Sequence, residues 1–113
     1  MRRSYLLYLD DILTSTNKIL SYVGESSFDE VMQDEMRLEA IERNFTIMGE
    51  AARNIPQEIK EKYSLVEWQK VMDFRNVLAH EYFGISKKIM WTIIKEKLPP
   101  LQKGIQTILK KEK

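Results

Sequence analysis

Apolar residues recur at spacings of three and four along nearly the whole chain, which is the period of an amphipathic α-helix. The first stripe predicts a helix of about 20 residues that ends at Gly24. Ser27 and Glu30 have the spacing of a capping box, which predicts a short helical turn. The longest stripe predicts a helix from about Asp34 to Asn54.

Proline and serine positions predict where the next helices begin. Pro56 ends the long helix and starts a short one over residues 57–62. Ser64 and Glu67 have the spacing of a second capping box, which would open a helix running from Leu65 to about His80.

The last third of the chain repeats the helical pattern. Gly84 predicts a break, and Ser86 is expected to cap the next helix. Pro99 and Pro100 interrupt that pattern, and a final amphipathic stretch follows whose terminal lysines are expected to fray. No segment alternates with period two for long enough to predict a strand. The expected fold is all-α: one domain, 1–113, forming an antiparallel bundle of four main helices with short additional ones.

The stretch from Trp68 to His80 carries the unusual chemistry. On a helical wheel, Arg75 lies on an apolar arc whose other members are Trp68, Val71, Met72, Leu78 and Ala79. The opposite side is a polar stripe of Gln69, Asp73, Asn76 and His80. Asn76 and His80 are four residues apart and therefore share one helix face. An arginine on an apolar face must pair, extend its head to solvent, or face a partner or ligand.

Structural explanations of these residues stay open. His80, the only histidine, would interact favourably with the helix dipole as a plain C-terminal cap. Arg75 would be a structural ion-pair member. Arg43 and Asn44 form a second polar pair, which is either a surface or structural feature or a support for the site.

Composition excludes several kinds of site. The chain has no cysteine, which rules out disulfides and suits the cytoplasm. One histidine without a closely spaced carboxylate argues against a transition-metal site, and nothing indicates a cofactor. No apolar run approaches the roughly 18 residues that span a membrane. Asp10 and Asp11 interrupt the apolar N-terminal stretch too early for a signal peptide.

Charge is nearly balanced overall but unevenly distributed. The net charge is +1, whereas residues 24–61 carry a net −6 and residues 87–113 a net +6. The basic section could follow a phosphate backbone, or it could simply be a solvated lysine-rich face. The opposite charges of these two sections would also suit self-association of two chains or attraction between the two sections within one chain.

The amino-acid sequence of residues 75–83 resembles a motif of a known protein family. R-N-V-L-A-H-E-Y-F, residues 75–83, resembles the Arg-Asn-x3-His-x-Tyr motif of HepT-like HEPN-domain proteins. Further similar segments are Y-L-D-D-I-L near the start, I-E-R-N-F-T-I-M-G-E-A-A in the middle, and the downstream Trp91 and Leu98-Pro99. The resemblance covers nearly the whole chain and has no departure at the motif positions.

This resemblance implies a HEPN-type bundle and a ribonuclease toxin of a HEPN/MNT toxin–antitoxin pair. Its implied catalytic residues are Arg75, Asn76 and His80, which would act on RNA without a metal. The implied partner is a minimal nucleotidyltransferase antitoxin that attaches AMP to Tyr82. Asp73, together with the Arg43–Asn44 pair, is a candidate supporting residue.

Counting and geometry add an expectation about assembly. Acid and base roles usually need two groups, but each chain has one histidine. Arg75 and His80 also lie about 140° apart on an ideal helix, so they do not converge within one chain. A twofold homodimer would address both difficulties by forming a composite cleft. The alternative function is a non-catalytic helical module that binds a partner nucleotidyltransferase or a nucleotide.

Overall fold

A computed structural model describes residues 3–79 and 86–113, except for the side chains of residues 75–79 and 86. Helices follow one another along both described ranges, and neither range contains a β-strand. The helices are α1 (Tyr5–Val23), α2 (Phe28–Met32), α3 (Glu35–Arg53), α4 (Gln57–Lys62), α5 (Trp68–Ala79), α6 (Ser86–Thr92) and α7 (Leu98–Glu112), with a π-helical segment, Ile93–Lys97, between the last two. The predicted all-α fold is confirmed.

The predicted boundaries of α1 are confirmed by its caps. The Ser4 hydroxyl oxygen accepts a hydrogen bond from the Leu6 amide at 3.2 Å, which satisfies one of the first free amides of the helix. Gly24 ends the helix with φ of 50°, a conformation that glycine adopts without steric cost. Its amide donates to the Leu20 carbonyl, so the last turn is closed.

The first capping box forms as predicted. The Ser27 hydroxyl accepts from the Glu30 amide at 3.2 Å, and the Glu30 carboxylate accepts from the Ser27 amide at 2.9 Å. Asp34 then caps α3 by accepting from the Arg37 amide at 3.1 Å. These local hydrogen bonds explain why the chain turns twice within about ten residues before its central helix.

The central helix, α3, packs against α1 on one side and against α5 on the other. Its buried stripe includes Leu38, Ile41, Phe45, Met48, Ala51 and Ala52. Phe45 meets Phe74 of α5 edge to face, with ring centroids 5.1 Å apart. Burial of such aromatic side chains is among the largest single contributions to a core of this size.

The prediction for the start of α5 is wrong. The helix begins at Trp68, and residues 63–67 form a turn instead of the first helical residues. The Trp68 side chain is buried, and its indole N–H donates to the Tyr63 carbonyl at 3.1 Å, which fixes the turn. The Glu67 carboxylate pairs with Lys70 and Lys97, so long-range packing overrides the local capping signal of Ser64.

The interrupted pattern suggested that Pro99 and Pro100 separate two helices, but they do not. The π-helical segment directly before them leads from α6 into α7, and the Leu98 amide donates to the Ile93 carbonyl five residues earlier. Proline is tolerated here because it occupies the first turn of α7, where amides lack partners in the same helix. α6 begins at Ser86, the residue expected to cap it, whose side chain lies outside the described part of the structure.

The C-terminal end of α7 contacts two other helices through Glu112. The Glu112 carboxylate accepts hydrogen bonds from the hydroxyls of Tyr5 at 2.7 Å and Tyr63 at 2.5 Å. It also pairs with the Lys62 ammonium at 2.8 Å. The last turn of α7 is thereby tied to the beginning of α1 and the end of α4.

A second polar contact fixes the relative direction of the outer helices. The Gln102 amide donates to the Asn17 side-chain oxygen at 2.6 Å, near the start of α7 and the end of α1. Since Tyr5 and Glu112 meet at the opposite end, α1 and α7 run antiparallel.

Among the described helices, none combines the length and the apolar content needed to cross a membrane.

Candidate functional site

The motif helix α5 is positioned by one buried face. Trp68, Val71 and Phe74 are buried, and they pack this helix onto α3 and the rest of the core. The predicted apolar arc did not include Phe74. Because Phe74 is buried, the centre of the buried face lies closer to this residue than the sequence predicted. The spacing of three between these residues is what an α-helix needs to bury one side.

The backbone of Arg75 and Asn76 lies in the second half of α5. Position 75 follows Trp68 by seven residues and Val71 by four, so its Cα lies on the same side of the helix as these two buried residues. This agrees with the arc on which the sequence placed Arg75. The side chains of both residues, and His80 and Tyr82 as a whole, lie outside the described part of the structure. Their catalytic and modification roles therefore stay predictions.

Asp73 lies on the solvent side of the motif helix. It is half-buried, and its carboxylate accepts a hydrogen bond from the Gln69 amide at 3.1 Å. This contact joins two members of the predicted polar stripe one helical turn apart. Asp73 therefore has a structural partner within α5, and a supporting role in the site stays a prediction.

Arg43 and Asn44 do not form a pair in space. Arg43 is exposed, whereas Asn44 is only 5% exposed. The Asn44 amide donates to the Ala40 carbonyl at 2.8 Å, so it bonds within its own helix. A buried amide needs such a partner because an unsatisfied donor costs about 1–3 kcal/mol. This is the structural role that the sequence left open for Asn44, and support of the site by either residue is untested.

Sequence reasoning missed a groove beside the motif helix. A cavity of about 510 Å³ opens between α5, the 63–67 turn and the start of α7. Its apolar lining includes Val66, Val71, Phe74, Ile93, Leu101 and Gly104. At Gly104 a Cβ atom would lie 3.3 Å from a Val66 methyl carbon, so the absent side chain lets the turn approach α7 closely. A glycine within the apolar stripe of α7 was the one sequence signal for this close approach.

Charged residues border the groove. The Glu67 carboxylate lies 2.7 Å from the Lys70 ammonium and 3.5 Å from that of Lys97. The Lys70 contact is the main cause that lowers the pKa of Glu67, which therefore stays ionised at neutral pH. Leu65 stands at the same edge and is 99% exposed.

Within residues 3–79 and 86–113, no group of three or more histidine, cysteine, aspartate or glutamate side chains is arranged to hold a metal ion. Several of the described acidic side chains contact lysine, arginine, tyrosine or backbone amides instead. Examples are the Arg3–Asp11 pair at 2.6 Å and the Asp34–Arg37 pair at 3.2 Å.

Comparison with protein families decides the relationship that the motif suggested. The model of the family described as ribonuclease HepT-like matches residues 12–108. The chain belongs to this family. The matched range contains α3, α5 and all of residues 75–83, which carry the motif, so the resemblance noted from the sequence is confirmed.

Individual relatives of this HepT-like chain carry ribonuclease names. It is 38% identical over 106 residues to "Putative RNase TTE0752" of Caldanaerobacter subterraneus subsp. tengcongensis, covering 94% of this chain and 95% of the relative. It is 31% identical over 110 residues to "Probable ribonuclease HepT" of Thermococcus cleftensis, covering 97% of this chain and the full relative. No solved structure matches the chain significantly.

Proposed function

We propose that this HepT-like chain is a metal-independent endoribonuclease toxin of a HEPN/MNT toxin–antitoxin pair and acts in the cytoplasm. The observation that carries the proposal is the Arg75-Asn76-x3-His80-x-Tyr82 motif in a chain of the HepT-like ribonuclease family. Its first two residues lie in the second half of α5. RNA is the substrate class, in line with the ribonuclease names of its relatives.

The reaction uses the RNA's own 2′-hydroxyl as the nucleophile. A general base removes the hydroxyl proton while the 2′-oxygen forms a bond to phosphorus. The bond from phosphorus to the 5′-oxygen then breaks, and a general acid protonates that oxygen. The products are a 2′,3′-cyclic phosphate and a free 5′-hydroxyl, so no metal-bound water is required.

Each motif residue has a chemical task in this scheme. His80 exchanges the protons, because the pKa of an imidazole lies near neutrality. Arg75 holds the charged phosphorane through paired N–H donors. Asn76 shares the helix face of position 80 and either orients the imidazole or donates to phosphate.

A twofold dimer completes the site. One histidine per chain supplies one acid–base group, whereas the reaction needs an acid and a base. Two copies of α5 at a twofold axis bring both histidines and both arginines to one cleft.

Control by the antitoxin acts on Tyr82. A cognate nucleotidyltransferase joins the tyrosine oxygen to the α-phosphorus of ATP, and pyrophosphate leaves. The attached AMP brings bulk and negative charge next to Arg75 and His80, where an RNA phosphate would bind. Inhibition follows because the cleft is occupied, without unfolding of the bundle.

Cleavage of RNA by the purified protein tests this proposal against the alternative of a non-catalytic module. The nuclease produces fragments that accumulate with time in the presence of EDTA. The module binds the nucleotidyltransferase or a nucleotide and leaves the RNA intact. Intact RNA at micromolar protein, with a correctly folded and unmodified chain, would favour the module.

A further inference from the structure

Trp91 is held at the surface of α6 by two neighbours. Its ring meets Phe28 of α2 edge to face, with centroids 5.7 Å apart and an interplanar angle of 84°. The Lys95 ammonium lies 5.2 Å from the centre of the same ring, within the range of a cation–π contact. The side chain is half-buried, so the indole is fixed in position while part of it faces solvent.

Positive charge lies on both sides of this indole. Lys87 precedes Trp91 by four residues and therefore shares its face of α6. Lys87, Lys88 and Lys95 are exposed, and in the described part of the chain none has a carboxylate within salt-bridge distance. Lys70 and Lys97, by contrast, are both paired with Glu67.

The position of α6 places this surface near the motif helix. α6 packs against the motif helix α5. Lys87 follows His80 by seven residues, so the chain limits their separation to about 25 Å. Nucleotides next to the cleaved one would thus come within reach of α6.

We propose that Lys87, Trp91 and Lys95, together called the α6 platform, bind single-stranded substrate RNA next to the cleavage site. A base stacks on the exposed part of the Trp91 ring, and the two lysines contact the flanking phosphates. Aromatic side chains between cations are the usual means of binding unpaired RNA without sequence preference. The inference deepens the proposed ribonuclease function and rests on it.

The surroundings favour RNA as the occupant. Residues 87–113 carry a net charge of +6, which attracts a polyanion. Phe28, which contacts the Trp91 ring, is followed by two acidic residues, Asp29 and Glu30, in the first turn of α2. The phosphate backbone therefore follows Lys87 on α6 and Lys95 on the π-helical segment and avoids α2.

Binding of a labelled RNA tests the platform. Every protein carries His80→Ala, so that the RNA is not cut, and a fluorescein-labelled single strand of about 12 nucleotides is followed by anisotropy at several salt concentrations. Trp91→Leu should weaken binding about tenfold, whereas Trp91→Phe should retain most of the affinity. The double variant Lys87→Ala/Lys95→Ala should weaken binding. It should also reduce the slope of log affinity against log salt concentration by the amount expected for the loss of up to two phosphate contacts. The matched control, Lys103→Ala/Lys110→Ala on α7, should change affinity less than about twofold.

Tryptophan emission gives a second measurement that does not depend on the stability of a variant. Trp68 is buried, so stacking of RNA should quench Trp91 emission, and Trp91→Leu should abolish that quenching. Unchanged affinity of folded Trp91→Leu, or an equal loss in the α7 control, would overturn the platform. Loss of nucleotidyltransferase binding with RNA binding intact would overturn it too, because α6 would then bind protein.

The same proteins separate the platform from the nuclease proposal. If protein with His80 intact leaves RNA uncut while the platform variants weaken binding as expected, the nuclease proposal fails and the RNA-binding surface stands. If the protein cuts RNA and the platform variants bind RNA normally, the platform proposal fails and the nuclease proposal stands.

Discussion

The rings of Phe45 and Phe74 meet edge to face at 5.1 Å and join the motif helix to the central helix. Phe74 directly precedes Arg75, so this contact helps to position the backbone of Arg75 and Asn76, two of the predicted catalytic residues. The geometry of the proposed site thus depends on a core contact.

Phe74→Ala should lower the free energy of unfolding by about 3–5 kcal/mol, because it removes a buried ring and leaves a cavity. Chemical denaturation followed by circular dichroism measures the loss. Gln69→Ala, an exposed change on the same helix, should cost less than about 0.5 kcal/mol. Equal stability of the Phe74 and Gln69 variants would mean that α5 is not anchored by this ring.

Glu112 should make stability depend on acid pH. Hydrogen bonds from Lys62, Tyr63 and Tyr5 lower the pKa of its carboxyl from 4.5 to about 2. The folded-state pKa lies below the unfolded one, so the stabilisation is complete above about pH 4.5 and is lost as pH falls toward 2. Unfolding of wild type and Glu112→Gln across this range should show a stability difference that shrinks with acidification. A difference that stays constant down to pH 2 would contradict the C-terminal contact.

The proposed composite site predicts a dimer. Light scattering at micromolar concentration should give about twice the mass of the chain. The physical reason is the single histidine per chain, because acid and base roles usually need two groups. A monomer that retains full ribonuclease activity would rule out the composite cleft.

Co-expression with a cognate nucleotidyltransferase should add one or more AMP units at Tyr82. Intact-mass and peptide mass spectrometry locate the modification. Tyr82→Phe should stay dimeric and escape it, while Tyr22→Phe serves as the control that is still modified. Modification mapped to Tyr5, Tyr8, Tyr22 or Tyr63, or silencing of the Tyr82→Phe variant, would show that Tyr82 is not the target.

Local signals predicted most of the fold, and their failures were caused by distant contacts. Ser27 and Ser64 both precede a glutamate by three residues, yet only the first forms a capping box. At the second, burial of Trp68 and the pairing of Glu67 with Lys97 determine where the helix begins. Neither contact is visible in a local pattern.

The contacts of Glu112 were unpredictable for the same reason. Tyr5 precedes Glu112 by 107 residues, and Tyr63 precedes Glu112 by 49, so no local spacing joins them.

For the candidate site, the sequence motif and the helical wheel indicated Arg75 and Asn76. The separate environments of Arg43 and Asn44 came only from packing, because neighbouring residues on a helix face different directions.

Cleavage of a defined RNA by purified wild type and His80→Ala in EDTA tests the central proposal most directly. Lys111→Ala, an exposed change near the end of α7, is the matched control, and circular dichroism verifies that all three proteins are folded. We expect fragments ending in a 2′,3′-cyclic phosphate from wild type and the control, with at least about 100-fold less from His80→Ala. Full inhibition by EDTA that a divalent ion reverses, or undiminished cleavage by folded His80→Ala, would contradict it.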